Sequence, residues 1–111
     1  MIRGAVYRID LGDVKRGREL RGKRFGVVLS SAPSAWSTVT VVPTSTSAQS
    51  AIFRPALEIA GSMTRVLADQ LRTIDTDYIV GEPADYLLRE DLEQVEYAVA
   101  RFLDLRINSR Y

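Results

Sequence analysis

The chain has 111 residues, of which 46% are hydrophobic and 26% charged, a balance typical of one small globular domain. It contains no cysteine and no histidine, which excludes disulfides, thiolate metal sites and imidazole acid–base chemistry. No apolar run reaches the roughly 18 residues of a membrane span, and Arg3 and Arg8 stand where a signal peptide would be apolar. We therefore expect a cytoplasmic protein without a membrane partner.

The net charge of +1 hides an uneven distribution of charge along the chain. Residues 15–24 contain six Lys or Arg and one Glu, whereas residues 82–96 contain six acids and one Arg. A local basic segment can attract phosphate groups although the total charge is close to zero. The alternative is a solvated surface loop, which is the usual explanation of a charge run.

The first half of the chain predicts three strands. Alternating β-formers indicate a strand over residues 5–11, and residues 25–30 form the short apolar run that is typical of a strand buried on both faces. Residues 38–44 are almost all β-branched and indicate a third strand, which Pro43 should end or confine to an edge. Polar connections are predicted over residues 12–23, 31–37 and 45–54.

The second half predicts a hairpin, one further short strand or turn, and a helix. The hairpin is expected over residues 55–68 around Gly61, and the short element over residues 71–74. From Arg89 onward, apolar residues recur at helical spacing, among them Leu88 and Phe102, and this predicts an amphipathic C-terminal helix. Five or six short strands and one helix suggest a small, highly curved, mainly β barrel. We expect one domain over residues 1–105 and a mobile tail over residues 106–111.

Polar side chains at two predicted strand ends could bind a phosphate together. Arg24 stands where the basic segment meets the apolar strand, so that packing can hold its guanidinium. Thr44 ends the third strand, and an arginine and a hydroxyl on neighbouring strands would form a phosphate clamp. Taken alone, however, Thr44–Ser47 is better explained by hydroxyls that cap turns. Ordinary turn hydrogen bonds likewise explain Asp69 and Gln70 taken alone.

Four segments of the chain resemble, in order and spacing, the MazF/PemK family of toxin endoribonucleases. They are MIRGAVYRIDL, GRELRGKRFGVVLS, VTVVPTSTS and LADQLRTID, and the resemblance extends over residues 2–105. It implies an SH3-like barrel with a long first loop and a C-terminal helix. It also implies a homodimer that binds single-stranded RNA in a groove. The acidic C-terminal segment of a cognate antitoxin is expected to bind in the same groove.

The resemblance implies roles for individual residues. Arg24 and Thr44 match the family's catalytic arginine and catalytic Thr or Ser, and Glu19 matches the acid of the first loop. In the implied reaction, a 2′-hydroxyl of the RNA attacks the adjacent phosphodiester. We expect neither a metal nor a cofactor, because without His or Cys a metal site would need clustered carboxylates, and the acids are most concentrated around the C-terminal helix. Arginine keeps its proton at ordinary pH, so Glu19 is an alternative general base, although it could equally hold Arg24 in place. The residues expected to contact RNA are Arg16, Arg18, Arg21, Lys23, Ser45, Thr46, Asp69 and Gln70.

The chain also departs from the family pattern. Leu20 replaces the usual Gln and Phe25 the usual Pro, while Leu67 and Arg18 stand where some members have Arg and His. A mechanism that uses those Arg and His side chains cannot apply unchanged. Two other functions remain open on this fold: a gyrase-directed toxin of the CcdB type, whose C-terminal Trp-Gly-Ile motif is missing here, and a non-catalytic binding barrel.

Overall fold

The computed structural model describes residues 2–12, 22–31 and 37–106, which form a β-sheet with one C-terminal helix. Two 3-10 turns, Ala68–Gln70 and Thr76–Tyr78, connect the later strands. The helix α1 comprises Arg89–Leu103. The seven strands of these ranges are β1 Ala5–Asp10, β2 Lys23–Val28, β3 Thr38–Ser45, β4 Ala56–Ile59, β5 Ser62–Val66, β6 Arg72–Asp75 and β7 Ile79–Tyr86.

The strands form one curled antiparallel sheet in the order β4-β5-β3-β2-β1-β7, and β6 pairs with the first half of β3. β5 pairs with the last two residues of β3. The two ends of the sheet meet where the carboxylate of Asp85 on β7 accepts a hydrogen bond of 2.8 Å from the backbone N–H of Ala60, which follows β4. The sheet is therefore a half-barrel whose ends are joined by a side chain.

Both faces of the central strands are buried. Successive residues of a strand point to opposite faces, so Val27 and Val28 belong to two different apolar clusters. The first cluster includes Val95 of α1, which covers one face, and the second includes Ile74 of β6. The prediction that the second strand is buried on both faces is confirmed for its last three residues, 26–28.

Pro43 lies inside β3, so the prediction that it ends the strand or confines it to an edge is wrong. β3 pairs with β2 on one side and with β6 and β5 on the other. Pro43 falls between the last residue paired with β6, Val41, and the first residue paired with β5, Thr44. Its carbonyl accepts a hydrogen bond of 2.9 Å from the backbone N–H of Leu67. Proline has no N–H to donate, and Pro43 stands at the position between the residues paired with β6 and those paired with β5.

The strand β7 was not among the predicted elements. Its sequence contains Gly81, Pro83 and two acids, a composition that is unfavourable for a central strand. β7 nevertheless pairs with β1 at the edge of the sheet, through a ladder whose register shifts between Val6 and Arg8. An edge position tolerates such a sequence because only one side of the strand must form hydrogen bonds.

The predicted C-terminal helix is confirmed as α1, although its apolar face is narrower than the spacing predicted. Val95, Ala98 and Ala100 are buried, whereas Leu88 and Phe102 are 66% and 44% exposed. No helix in the described part of the chain combines the length and the apolar composition of a membrane span. Beyond Arg106, the predicted tail lies outside the described residues.

We predict that Gly26→Ala destabilises the fold through one contact. A Cβ atom at position 26 would lie 2.9 Å from Cδ1 of Ile9, a core residue of β1, whereas the other Ile9 atoms are at least 3.5 Å away. Such overpacking should lower the free energy of unfolding by about 1–3 kcal/mol, as measured by urea denaturation.

The matched control is Ile9→Val, which removes the clashing methyl group and alone should cost about 0.5–1.5 kcal/mol. The double variant should lose less stability than the two single variants lose together, because Ile9→Val removes the atom with which a Cβ at position 26 would clash. Strict additivity would show that this contact does not require glycine at position 26.

Candidate functional site

A groove of about 250 Å³ lies between the β1–β2 ladder, the end of β3 and the β4–β5 hairpin. Its lining includes three cationic and five hydroxyl side chains, and none of the described lining residues is acidic. Such a surface suits an anion with several oxygen atoms. The lining residues are Arg8, Lys23, Arg24, Phe25, Thr44, Ser45, Thr46, Ile59, Ser62 and Thr64.

One cross-strand row supplies three of the lining residues. Arg8 faces Phe25 in the β1–β2 ladder. Because Gly26 faces Pro43 in the next ladder, continuing that register by one residue places Phe25 beside Thr44. Facing residues of antiparallel strands project to the same side of the sheet, so Arg8, Phe25 and Thr44 reach the groove from three adjacent strands.

Arg24 and Thr44, which the sequence placed on neighbouring strands, are in contact. The guanidinium Nη1 of Arg24 donates a hydrogen bond of 3.2 Å to the backbone carbonyl of Thr44. The Arg24 side chain is half-buried. The guanidinium, which we expected packing to hold, is thus also held by a hydrogen bond to the backbone of residue 44.

The hydroxyl of Thr44 has a structural partner of its own. Its Oγ1 donates a hydrogen bond of 3.0 Å to the carbonyl of Phe25 on β2, and only 4% of the residue is exposed. A hydroxyl has one proton to donate and two lone pairs. To donate to a ligand in the groove, Thr44 must therefore exchange the Phe25 carbonyl for the ligand.

Among the other hydroxyl residues of the groove, Ser45 forms a hydrogen bond within a turn, and the rest contribute to the lining. The Ser45 hydroxyl accepts a hydrogen bond of 3.3 Å from the backbone N–H of Ser47, which is the turn contact expected of such a residue. Thr46 and Lys23 line the groove as exposed side chains. Ser62 and Thr64 of β5 were not predicted, since nothing in the sequence of a plain hairpin relates it to the other three strands.

Asp69 forms an ion pair with Arg54 outside the groove. Its two carboxylate oxygens accept hydrogen bonds of 2.9 and 2.6 Å from Nε and Nη2 of Arg54, which precedes β4. The hydrogen bond from Arg54 holds the pKa of Asp69 below its ordinary value, and burial acts in the opposite direction. Neither Asp69 nor Gln70 lines the groove, so their contact with RNA stays a prediction that this geometry does not favour.

Four of the predicted residues, Glu19, Arg16, Arg18 and Arg21, lie outside the described residues. Backbone hydrogen bonds join the two ends of the connection that carries these residues. There Gly22 donates a backbone hydrogen bond of 2.6 Å to Gly12, and Leu11 donates one of 2.9 Å to Gly22. The connection therefore returns to the sheet directly before Lys23, and the roles of its four residues stay predictions.

No three carboxylate side chains of residues 2–12, 22–31 and 37–106 lie close enough together to hold a metal ion. The acids of these ranges have other partners or stand apart. Asp85 joins the two ends of the sheet, and Glu96 of α1 pairs with Arg3. The groove therefore offers cations and hydroxyls, the groups that bind an anion directly.

Comparisons with known proteins relate this geometry to one family. The family of PemK-like, MazF-like toxins of type II toxin-antitoxin systems matches residues 2–103. The chain is 60% identical over 105 residues to the Mycobacterium tuberculosis protein named "Putative toxin Rv3098A". The matched region covers 95% of this chain and 99% of that protein.

Solved structures share the fold at low sequence identity. MazF (Form-I) from Deinococcus radiodurans has a TM-score of 0.78 and 23% identity, over 92% of this chain and 94% of that one. An endoribonuclease in complex with its cognate antitoxin, from a mycobacterial species, has a TM-score of 0.78 and 21% identity, over 97% and 99%. These likenesses confirm the predicted mainly β barrel with a C-terminal helix.

We predict that Asp69→Asn weakens the fold at neutral pH, because Arg54 loses a charged partner whose side chain is only 13% exposed. The loss should be about 1–3 kcal/mol of unfolding free energy. Since the pKa of Asp69 is lowered in the folded state, its contribution is present above the ordinary value of roughly 4 and is lost as the pH falls through the lower, folded-state value. On acidification through that range, the parent should lose more stability than the variant.

The control for this pair is Glu93→Gln on α1. Glu93 pairs with Arg89, but their side chains are 49% and 91% exposed, so the change should stay within about 0.5 kcal/mol. Chemical denaturation at several pH values measures both variants. If Asp69→Asn matches Glu93→Gln at every pH, the Arg54–Asp69 pair does not stabilise the fold.

Proposed function

Because the chain belongs to the PemK-like, MazF-like family of type II toxins, we propose that it is a metal-independent endoribonuclease that cleaves single-stranded RNA. The observation that supports this activity is the groove, where Arg24 contacts the backbone of Thr44 among cations and hydroxyls. A phosphodiester is the ligand that this set of groups fits best. That one structural relative is an endoribonuclease in complex with its antitoxin agrees with this proposal.

The proposed reaction is an internal transesterification. The 2′-oxygen of a ribose forms a bond to the adjacent phosphorus, and the bond from phosphorus to the 5′-oxygen of the next nucleotide breaks. A base takes the 2′-proton, and the departing 5′-oxygen gains a proton. The products are a 2′,3′-cyclic phosphate and a 5′-hydroxyl. Because the nucleophile belongs to the substrate, the protein must align the groups, stabilise charge and move protons.

Arg24 is the proposed stabiliser of the charge that develops on the phosphate. A guanidinium presents its N–H donors in a planar fork that matches two phosphate oxygens. The contact of Nη1 with the Thr44 carbonyl fixes the direction of this fork before the substrate arrives. A donor that is already oriented needs little reorganisation when the transition state forms.

Thr44 is the proposed second donor to the phosphate. Arg24 contacts the carbonyl of the same residue, and the Thr44 hydroxyl must release the Phe25 carbonyl to donate to a phosphate in the groove. The general base is a separate question, since Arg24 keeps its proton at ordinary pH. Glu19 is the candidate from the resemblance, either as the base or as a partner that holds Arg24.

We propose two protein partners in addition to RNA. The first is a second copy of the chain, in a homodimer that extends the groove. The second is a cognate antitoxin with an acidic C-terminal segment, because carboxylates satisfy the same cations as phosphates do. Lys23 and Arg24 line the groove and would meet either ligand. Competition between RNA and an acidic peptide then explains inhibition without a conformational change.

We predict that the purified protein cleaves single-stranded RNA in the presence of EDTA, and that Arg24→Lys slows the cleavage step at least about 100-fold. Lysine keeps the charge but lacks the planar fork that holds the transition state. Affinity for RNA should change little. Single-turnover rates at saturating enzyme separate chemistry from binding, and end-group analysis should identify the cyclic phosphate.

The matched control is Arg101→Lys on α1, which makes the same change on a residue that does not line the groove. It should cleave at the parental rate. Cleavage by the parent that disappears with EDTA would contradict the metal-independent mechanism. An intact, folded parent that leaves RNA uncut would favour a gyrase-directed or purely binding function.

We predict that Thr44→Val lowers the cleavage rate by about 10²–10³-fold, because the phosphate loses a donor. Valine keeps the β-branched shape, but the Phe25 carbonyl also loses its partner, so a modest loss of stability should accompany the change. Thr44→Ser restores the hydroxyl and should recover most of the activity. Equal cleavage by the valine and serine variants would assign Thr44 a purely structural role.

A further inference from the structure

Arg8 is a cation of the groove to which neither the family resemblance nor the proposed mechanism assigns a role. It is an exposed residue of β1, and its guanidinium carbon lies 4.8 Å from the centre of the Phe25 ring. No salt bridge of the described residues involves Arg8. A cation–π contact therefore positions this charge, and no carboxylate of the described ranges forms a salt bridge with it.

Phe25 gives Arg8 a rigid platform. The ring is half-buried and packs against the apolar cluster that contains Val27 and Val95. The guanidinium lies over the ring, and because it carries five N–H donors it can also donate hydrogen bonds to a ligand. Phe25 replaces the proline usual in the family pattern, and proline has no aromatic ring that could hold a cation.

The sheet also fixes where Arg8 stands relative to the proposed reaction centre. Arg8 and Thr44 lie two strands apart in the cross-strand row, which corresponds to about 10 Å between their backbones. Phe25 lies between them. The Arg8 guanidinium therefore enters the groove that Thr44 lines from the β1 side, over the Phe25 ring.

We propose that Arg8, held on the Phe25 ring, binds a second phosphate of the RNA strand, next to the phosphate at which cleavage occurs. This inference rests on the proposed function, since it assigns a further contact to the same substrate. A phosphate is favoured over a base because a cation without a salt-bridge partner among the described residues gains more from an anion than from a neutral ring. Arg8 then fixes the direction of the strand across the groove.

The test is the salt dependence of binding to an uncleavable strand. The probe is a 2′-O-methyl RNA with the sequence of a cleavage site mapped for the parent. Each phosphate contact to a single strand contributes about 0.7 to the slope of log affinity against log salt concentration. Arg8→Gln should reduce the slope by about 0.7 and weaken binding about tenfold, similarly for unrelated RNA sequences.

Two further groove variants distinguish the contribution of the Arg8 charge from that of the Phe25 ring. Arg8→Lys should keep the parental slope, because the charge remains. Phe25→Leu should also keep the slope but weaken binding roughly two- to tenfold, as expected for the loss of a cation–π contact. In the Arg8→Gln background, Phe25→Leu should have no further effect on binding, since the ring then has no cation to hold.

Arg101→Gln is the matched control. Arg101 also lies over an aromatic ring, 5.7 Å from the centre of Tyr97, but on α1 and away from the groove lining. It should leave the slope unchanged. Melting temperatures recorded for each variant identify any that has lost its fold, and Arg8→Lys then provides the comparison with the parent.

The outcomes distinguish this inference from the proposed function. If the parent cleaves RNA and Arg8→Gln keeps the parental slope, the phosphate assignment is overturned while the endoribonuclease stands. If Arg8→Gln weakens binding only for particular sequences and the slope stays unchanged, Arg8 contacts a base and the assignment is again wrong. If the parent neither binds nor cleaves RNA, the proposed function fails and this inference with it.

Discussion

The two central strands, β2 and β3, bury side chains on both faces, and this requirement determines where polar residues can stand. Val27 and Val28 enter different apolar clusters, as do Val41 and Val42 on the neighbouring strand. A polar side chain in the middle of either strand would need a partner in the core. The polar groove residues of these two strands are therefore confined to the strand ends, where the antiparallel pairing places the start of β2 beside the end of β3.

The charge distribution follows from the same architecture. The acids of residues 82–96 that cluster in the sequence are separated by the fold, where Asp85 joins the two ends of the sheet and Glu96 pairs with Arg3. Asp69 is likewise engaged with Arg54. Because these carboxylates are used to hold the fold, a chain with a net charge of only +1 has a groove lined by cations. Local charge, not total charge, decides which ligand such a groove attracts.

Sequence patterns predicted what depends on local order and missed what depends on distant partners. The proximity of Arg24 and Thr44 could be predicted because both stand at the ends of strands with clear apolar patterns. The partner of Asp69 could not, since Arg54 lies in a polar connection without a pattern. The prediction for Pro43 was wrong for the same reason. A proline is tolerated inside β3 because β5 and β6 pair with different parts of that strand. Ser62 and Thr64 join the groove through the pairing of β5 with the end of β3, and Arg8 joins it through the pairing of β1 with β2.

Residue 25 connects the two halves of the groove. Its carbonyl accepts the Thr44 hydroxyl, while its ring carries the Arg8 guanidinium. The backbone contact is open to any residue at this position, including proline, because a carbonyl is present in all of them. The ring contact is not. Phenylalanine in place of the proline usual in the family pattern therefore adds a ring contact for the Arg8 guanidinium and leaves the carbonyl that accepts the Thr44 hydroxyl in place.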